Sequence, residues 1–318
     1  MTSFVKSNPD KSKRSVAAFL ICLLLLVFTF PLYAQEAGCG DGATECLGVR
    51  PVEYLVNDID ALEKPYNYVI GETKYWLLEV IGALAIIGAI GFGLLHGFGR
   101  FVAKKKHPVT LEKDHSVYIY NIIIRWGHWF NAIAVITLLI SGFWMHYVNV
   151  SHTVGYVHNM AGRAFIVFWL LFFIHELVTG DIKQYLVRGW ELKGGIFRQA
   201  MFYAIGIFKQ EEHPYHMAPE ARLNPLQKVA YFGIMFGLAP LVGFTGLLLL
   251  EPAMMSPIVE LFGMENMNIV FIIHLASAFG MAAYLFGHLY LATTGDKVTQ
   301  HYKVMITGEH DEYERQTS

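Results

Sequence analysis

The sequence predicts an all-α integral membrane protein built as a bundle of transmembrane helices. Hydrophobic residues make up 54% of the 318 residues and charged residues only 16%, and the mean hydropathy is +0.40. These values are typical of membrane proteins. Several apolar runs are long enough to cross a bilayer as helices, and Lys and Arg are concentrated in alternate connections between them. The formal net charge of −2 does not suggest a nucleic-acid partner.

Residues 1–34 resemble a secretory signal peptide. Basic residues precede an apolar run from Val16 to Leu32, and Ala34 is a suitable last residue before cleavage. The run is long for a signal peptide, and Leu32 is not the small residue usual at its position. A cleaved signal peptide and a retained signal anchor therefore both stay open, and both place residue 35 outside the membrane.

Residues 35–75 form a predicted periplasmic segment with three basic and eight acidic residues. Cys39 and Cys46 lie in this segment, where an oxidising compartment allows a short-loop disulfide. A disulfide that staples a loop is preferred to a metal site, because two thiols alone rarely hold a metal ion.

The remaining apolar runs predict one extra N-terminal span at 76–98 and a four-helix core at 119–294. A linker at 99–118 precedes the core, and a charged tail at 295–318 follows it. The predicted core spans are 119–147, 158–179, 228–250 and 268–293. Pro240 is expected to kink the fourth of the five spans, because proline cannot donate a helical hydrogen bond.

The distribution of basic residues predicts the orientation of the bundle. Segments 98–125, 180–228 and 294–318 hold six, seven and three Lys or Arg residues, whereas the loops 147–157 and 251–267 hold none. Basic loops stay in the cytoplasm. The sequence therefore predicts a multi-pass protein of the bacterial inner membrane, with the mature N-terminus periplasmic and the C-terminus cytoplasmic.

The last span carries two histidines, His274 and His288, fourteen positions apart. On a helix this spacing is ~21 Å along the axis and ~40° around it. One membrane-length helix thus presents an imidazole near each end, toward roughly the same face.

Topology places two further histidines at matching depths. His158 is expected near the periplasmic side with His274, and His128 near the cytoplasmic side with His288. Fourteen histidines against three cysteines favour imidazole ligation, and two bis-imidazole pairs predict two b-type haems. The competing histidines are His96 and His175 on the cytoplasmic side and His146 and His152 on the outer side. A haem-free membrane anchor or transporter is the alternative from another class.

At these residues the chain resembles the gamma subunit, or cytochrome b subunit, of membrane-bound respiratory formate dehydrogenase. The matching pieces are RWGHW around His128, the helix-initial His158 followed by Gly162, the IHLASAFGMAAYLFGHLY helix, and NPLQK from Asn224. These motifs are shared with the larger group of dihaem, quinone-linked cytochromes b, which includes the nickel–iron hydrogenase cytochromes. The resemblance covers roughly residues 119–300.

The resemblance implies a four-helix dihaem core, with His158 and His274 on the periplasmic haem and His128 and His288 on the cytoplasmic haem. It implies an iron–sulfur beta subunit and a molybdenum or tungsten catalytic alpha subunit as partners. Formate would be oxidised on the alpha subunit, with menaquinone or ubiquinone as the electron acceptor. A hydrogenase or a sulfur-compound reductase is the alternative complex.

The resemblance also assigns roles to polar residues near the cytoplasmic haem. Asn224, with Gln227 and His288, would bind the quinone headgroup; Asn224 could equally cap the helix that starts near Pro225. Arg125 and Arg163 could pair with haem propionates or anchor their helices at the membrane interface.

Overall fold

The computed structural model describes residues 75–148, 151–250 and 267–316. The predicted signal segment 1–34 and the predicted Cys39–Cys46 disulfide lie outside these residues, so both stay predictions.

Five described helices are long and apolar enough to span a membrane, which confirms the predicted helical membrane bundle. The first three are α1 (Trp76–Lys106), α2 (Ile122–Tyr147) and α3 (His152–Thr179). The fourth span, Pro225–Leu250, consists of α5 (Pro225–Gly233), a π-helical turn (Ile234–Leu238) and α6 (Ala239–Leu250). The fifth is α7 (Met267–Leu291). Residues 180–224 between the third and fourth spans, here called the connector, contain short 3-10 and π turns and the helix α4 (Ile196–Ala204).

The extra helix α1 packs directly on the double-histidine helix α7 through glycines. A methyl group at Gly82 would lie 2.2 Å from the Phe279 ring, and one at Gly93 would lie 3.2 Å from Tyr290. Arg100 fixes the far end of this contact by donating to the Thr293 carbonyl at 3.0 Å. Close helix approach at small residues is the usual way in which membrane helices associate.

The π-helical turn in the fourth span has a specific cause. Pro240 has no N–H, so the carbonyl of Met235 has no backbone donor in the i→i+5 pattern of the turn. The indole N–H of Trp169 on α3 donates to that carbonyl at 3.1 Å. The predicted distortion near Pro240 is thus a widened turn whose freed acceptor is satisfied by a neighbouring helix.

One end of the bundle, here called the connector end, carries a small sheet in addition to the helices. Strand β1 (Thr110–Tyr118) pairs antiparallel with β2 (Glu309–Gln316), and helix α8 (Gln300–Thr307) precedes β2. The predicted linker 99–118 and the predicted tail 295–318 therefore contain secondary structure. Their sequences are too polar to predict strands, and the paired strands are almost 200 residues apart.

Asp311 holds this sheet to its surroundings. Its carboxylate accepts from Lys303 at 2.6 Å, from Ser116 at 2.7 Å and from Lys113 at 2.8 Å. Burial by itself would raise the pKa of Asp311, but these hydrogen bonds together lower it below the ordinary value.

We expect Gly82→Ala to destabilise the protein by about 1–3 kcal/mol, because the new methyl group overlaps the Phe279 ring and forces α1 away from α7. Thermal unfolding of the detergent-solubilised protein measures this change. Gly88→Ala is the control, since a methyl group at Gly88 meets nothing within 4 Å. Equal melting temperatures for the two variants would contradict the described packing.

Candidate functional site

Two pairs of histidines face each other across the bundle. The ring centroids of His158 on α3 and His274 on α7 are 6.4 Å apart. Those of His128 on α2 and His288 on α7 are 6.2 Å apart. The structure thus brings together the four predicted histidines in the predicted pairs, and α7 contributes one member to each.

The separation within each pair matches two imidazoles that share one metal ion. A metal–nitrogen bond of about 2.0–2.1 Å plus ~1.1 Å from nitrogen to ring centre gives a centroid separation of roughly 6.3 Å. The observed values of 6.2 and 6.4 Å lie on either side of this distance.

The protonation of His158 follows from its neighbour Ser141. The Ser141 hydroxyl donates to the carbonyl of Thr137 at 2.7 Å, and it lies 2.9 Å from Nδ1 of His158. Because that hydroxyl proton is already engaged, the hydroxyl oxygen accepts from Nδ1–H. The lone pair of Nε2 then remains available for a metal.

His274 is held by the same arrangement on another helix. The Thr245 hydroxyl donates to the carbonyl of Leu241 at 2.8 Å and lies 3.1 Å from Nδ1 of His274. Its Nε2 is therefore also the unprotonated nitrogen. A hydroxyl that orients a ligating imidazole through the other ring nitrogen is a recurrent feature of metal sites.

A glycine follows each of these hydroxyl residues and lets the imidazole approach the helix backbone. A methyl group at Gly142 would lie 3.1 Å from Cε1 of His158, and one at Gly246 would lie 3.3 Å from Cε1 of His274. Larger residues at either position would push the ring out of line. The glycines Gly162 and Gly280 instead pack against leucine side chains, so they serve helix packing.

The second pair has a different environment. Nδ1 of His128 is buried and has no hydrogen-bond partner among the described residues. The ring of His288 lies nearly parallel to Tyr284, with centroids 5.6 Å apart, and meets the edge of Tyr231 at 6.1 Å. Aromatic side chains thus orient His288, whereas hydroxyl groups orient His158 and His274.

Three of the competing histidines make hydrogen bonds elsewhere. His96 donates from Nε2 to the Tyr203 carbonyl at 2.8 Å, so its Nδ1 accepts from the Tyr290 hydroxyl. His146 donates to Glu79 at 2.9 Å, and His175 donates from Nδ1 to Glu176 at 3.1 Å. Both ring nitrogens of His96 are used, which removes it as a ligand for the second pair.

The two arginines proposed as propionate partners differ in their surroundings. Arg125 donates to the Ile306 carbonyl at the end of α8, while its Nε is buried without a partner in the described residues. It therefore ties α2 to α8. Arg163 lies on α3, five residues after His158. A contact of either arginine with a propionate stays a prediction.

Asn224 and Gln227 form a capping box at the start of α5. The Asn224 side chain accepts from the Gln227 backbone at 2.9 Å, and the Gln227 side chain accepts from the Asn224 backbone at 3.0 Å. The capping role of Asn224 is thus present. Its amide Nδ2 points to the Tyr203 hydroxyl at 3.4 Å, and burial raises the pKa of that hydroxyl, which keeps it protonated.

Sequence reasoning missed Ser141, Thr245 and Gly246. The signal was present as a hydroxyl residue followed by glycine, which occurs at 141–142 and again at 245–246. Each dipeptide lies within a span that faces one of the histidines His158 and His274. Only the three-dimensional pairing shows that the two dipeptides act on the same site.

The chain is similar in sequence to known cytochromes. The sequence pattern of a family described as "Prokaryotic cytochrome b561" matches residues 119–308. The Escherichia coli (strain K12) protein YdhU, whose name describes it as a cytochrome, is 33% identical over 255 residues. This alignment covers 77% of the chain and 94% of YdhU. No solved structure gives a significant match.

We expect Thr245→Val to weaken haem binding between His158 and His274 by about 10–100-fold, the usual cost of losing such an orienting partner. Valine keeps the shape of threonine but cannot accept from Nδ1 of His274. Titration of haem into the haem-depleted protein, followed by absorbance, measures the change.

Thr137→Val is the matched control for Thr245→Val. Thr137 also donates to a carbonyl four residues earlier, but among the described residues no hydrogen bond joins its hydroxyl group to a histidine. If both variants bind haem equally well, the hydroxyl group does not orient His274.

Proposed function

The chain belongs to the prokaryotic cytochrome b561 family, and from this premise we propose that it carries electrons through two b haems to a quinone. The family is one of membrane cytochromes b that bind haem b and transfer electrons. The observation that carries the proposal is the presence of two histidine pairs, each at a separation that suits one shared iron ion.

The positions of the pairs suit electron transfer along the bundle. Each bound haem would supply reversible one-electron transfer between ferric and ferrous iron. His274 and His288 would hold the two haems on one helix, with an axial offset of ~21 Å between the ligands. Ser141 and Thr245 would keep the imidazoles of one pair in the metal-binding tautomer, and Tyr284 would orient His288.

The connector end is the proposed site of quinone reduction. Asn224 at that end offers an amide donor for a quinone carbonyl, and Tyr203 beside it offers a hydroxyl group. Reducing a quinone to a quinol takes two electrons and two protons. If the connector end is cytoplasmic, as its basic residues predict, each electron that crosses inward works against about 2.3 kcal/mol per 100 mV of membrane potential.

The proposed donor is a formate dehydrogenase complex of the inner membrane. An iron–sulfur beta subunit on the periplasmic side would pass electrons to the haem between His158 and His274, and a molybdenum or tungsten alpha subunit would oxidise formate. A hydrogenase or a sulfur-compound reductase would use the same membrane subunit. Affinity purification of the chain from its native membrane, followed by identification of the co-purified subunits, distinguishes these donors.

We expect the purified wild-type protein to contain two haems b, and His274→Ala or His288→Ala to contain one. Each substitution removes one axial ligand from a different pair. The haem-to-protein ratio from the pyridine haemochrome spectrum measures this. His96→Gln is the control, because both nitrogens of His96 bind protein groups. Unchanged haem content in either alanine variant would contradict the assignment of that ligand.

We expect Asn224→Asp to slow the oxidation of reduced haem by a quinone about 5–150-fold, which corresponds to the loss of one hydrogen bond worth about 1–3 kcal/mol. Aspartate keeps the oxygen that caps α5 but removes the amide donor. Stopped-flow absorbance of the haem measures the rate.

Asn121→Asp is the matched control for Asn224→Asp. Asn121 caps α2 in the same way, by accepting from the backbone of Ile124 at 3.0 Å. An equal effect of both substitutions on the rate would show that Asn224 serves as a helix cap alone.

A further inference from the structure

A polar cavity of about 250 Å³ lies at the connector end, between the connector and the C-terminal tail. Asn224 and Gln227 line one side, next to the residues proposed to meet the quinone. Four histidines from the connector and the tail also line it, namely His213, His216, His301 and His310. None of these histidines belongs to the two facing pairs.

We infer that this cavity is the proton-uptake path for quinone reduction, with His213 as the residue that passes protons inward. The inference rests on the proposed quinone reduction. The overall step consumes one quinone, two electrons from haem and two protons from water at the connector end. His213 would accept a proton on one nitrogen and release a proton from the other, which leaves it neutral in the opposite tautomer, and a flip of the ring would then restore the first tautomer.

Glu312 lies between two histidines in the outer part of the cavity. Its carboxylate lies 3.6 Å from Nε2 of His310 and 3.7 Å from Nδ1 of His216. The His216 side chain is 56% exposed, whereas that of His310 is 8% exposed. The Glu312 carboxylate therefore lies between an imidazole in solvent and an imidazole inside the protein, at distances longer than a hydrogen bond.

The inner part contains His301 and His213. The ring of His301 stacks on His310 with centroids 6.3 Å apart, and its Nδ1 lies 3.3 Å from the Ala292 carbonyl. Because a carbonyl only accepts hydrogen bonds, Nδ1 of His301 carries the proton. Its Nε2 therefore has a lone pair that can accept a proton. The ring of His213 lies 6.0 Å from Tyr203, whose hydroxyl meets Asn224.

His213 forms a hydrogen bond with the backbone of Tyr215, but this contact does not use both of its ring nitrogens. Its Nδ1 is buried and has no hydrogen-bond partner in the described part of the chain. Burial, and then the nearby His301, lower the pKa of His213 to about 4, so the imidazole is neutral at physiological pH. A neutral imidazole has one N–H and one lone pair, which are the two groups that proton relay needs.

Charged groups near His213 form ion pairs with other charged residues, so their charges largely cancel. From the tail, Asp296 faces His213 but forms an ion pair with Arg315 at 2.8 Å. Glu191 on the connector and Lys228 on α5 form a buried ion pair at 2.7 Å. The remaining neighbours that titrate are His216 on the connector, His301 on the tail and Tyr203 on α4.

The test is haem oxidation by a quinone in the purified full-length protein with His213→Gln. Glutamine keeps the polarity but cannot relay a proton. At about pH 8 we expect the rate to fall about 100-fold, at the lower end of the 10²–10⁴-fold range of positioned proton transfer. At about pH 6 we expect a smaller loss, since protons are more abundant and reach the site without the relay. Added imidazole should restore the rate.

His115→Gln is the control, because His115 lies on β1 outside the cavity, with its side chain 57% exposed and paired with Asp114. Haem content from the absorbance spectrum reports on folding. Should His213→Gln lose haem, His301→Gln is measured in the same way, and a pH-independent rate there overturns the inference.

The outcomes separate this inference from the proposed function. If quinone fails to oxidise the wild-type haem, the proposed function is wrong. If quinone oxidises the wild-type haem, a rate in His213→Gln that is unchanged, or equally reduced at every pH and not restored by imidazole, overturns the proton-uptake path alone.

Discussion

The hydrogen bond between a hydroxyl group and a histidine Nδ1, made twice within the bundle, is the interaction on which the described site depends. Away from water, the hydrogen-bond partners that the protein supplies fix which imidazole nitrogen carries the proton. The hydroxyl groups of Ser141 and Thr245 each donate to a carbonyl of their own helix. Each hydroxyl oxygen can therefore only accept a hydrogen bond from the imidazole. The result is a pair of unprotonated Nε2 atoms on facing helices.

The sequence contained enough information to predict the spans and the pairing of histidines. Long apolar runs reveal membrane helices, and the alternation of basic loops assigns a depth to each histidine. Depth then leaves few partners for His274 and His288. Hydrogen bonds between side chains of different helices could not be predicted in this way. The hydrogen-bond partners of His96, for example, lie on α7 and the connector, more than 100 residues away in sequence. No local sequence pattern predicts contacts over that distance.

The connector end shows why the remaining features were missed. Strands β1 and β2 are polar, and their pairing is long-range, so neither hydrophobic alternation nor a turn signal marks them. The cavity lined by His213 and His301 depends on the same long-range contact. The extra helix α1 was predicted as a span, but its role was not. Its glycines and Arg100 make it a support for α7, the helix that carries two of the four paired histidines.

The pairing of β1 with β2 also sets an order of assembly. Strand β2 leaves the ribosome about 190 residues after β1, which takes roughly 10–40 s at a synthesis rate of about 5–20 residues per second. All five spans are complete before then. Helix α7 ends at Leu291 and β2 begins at Glu309, so all four paired histidines are synthesised before the strand that closes the tail over the connector end.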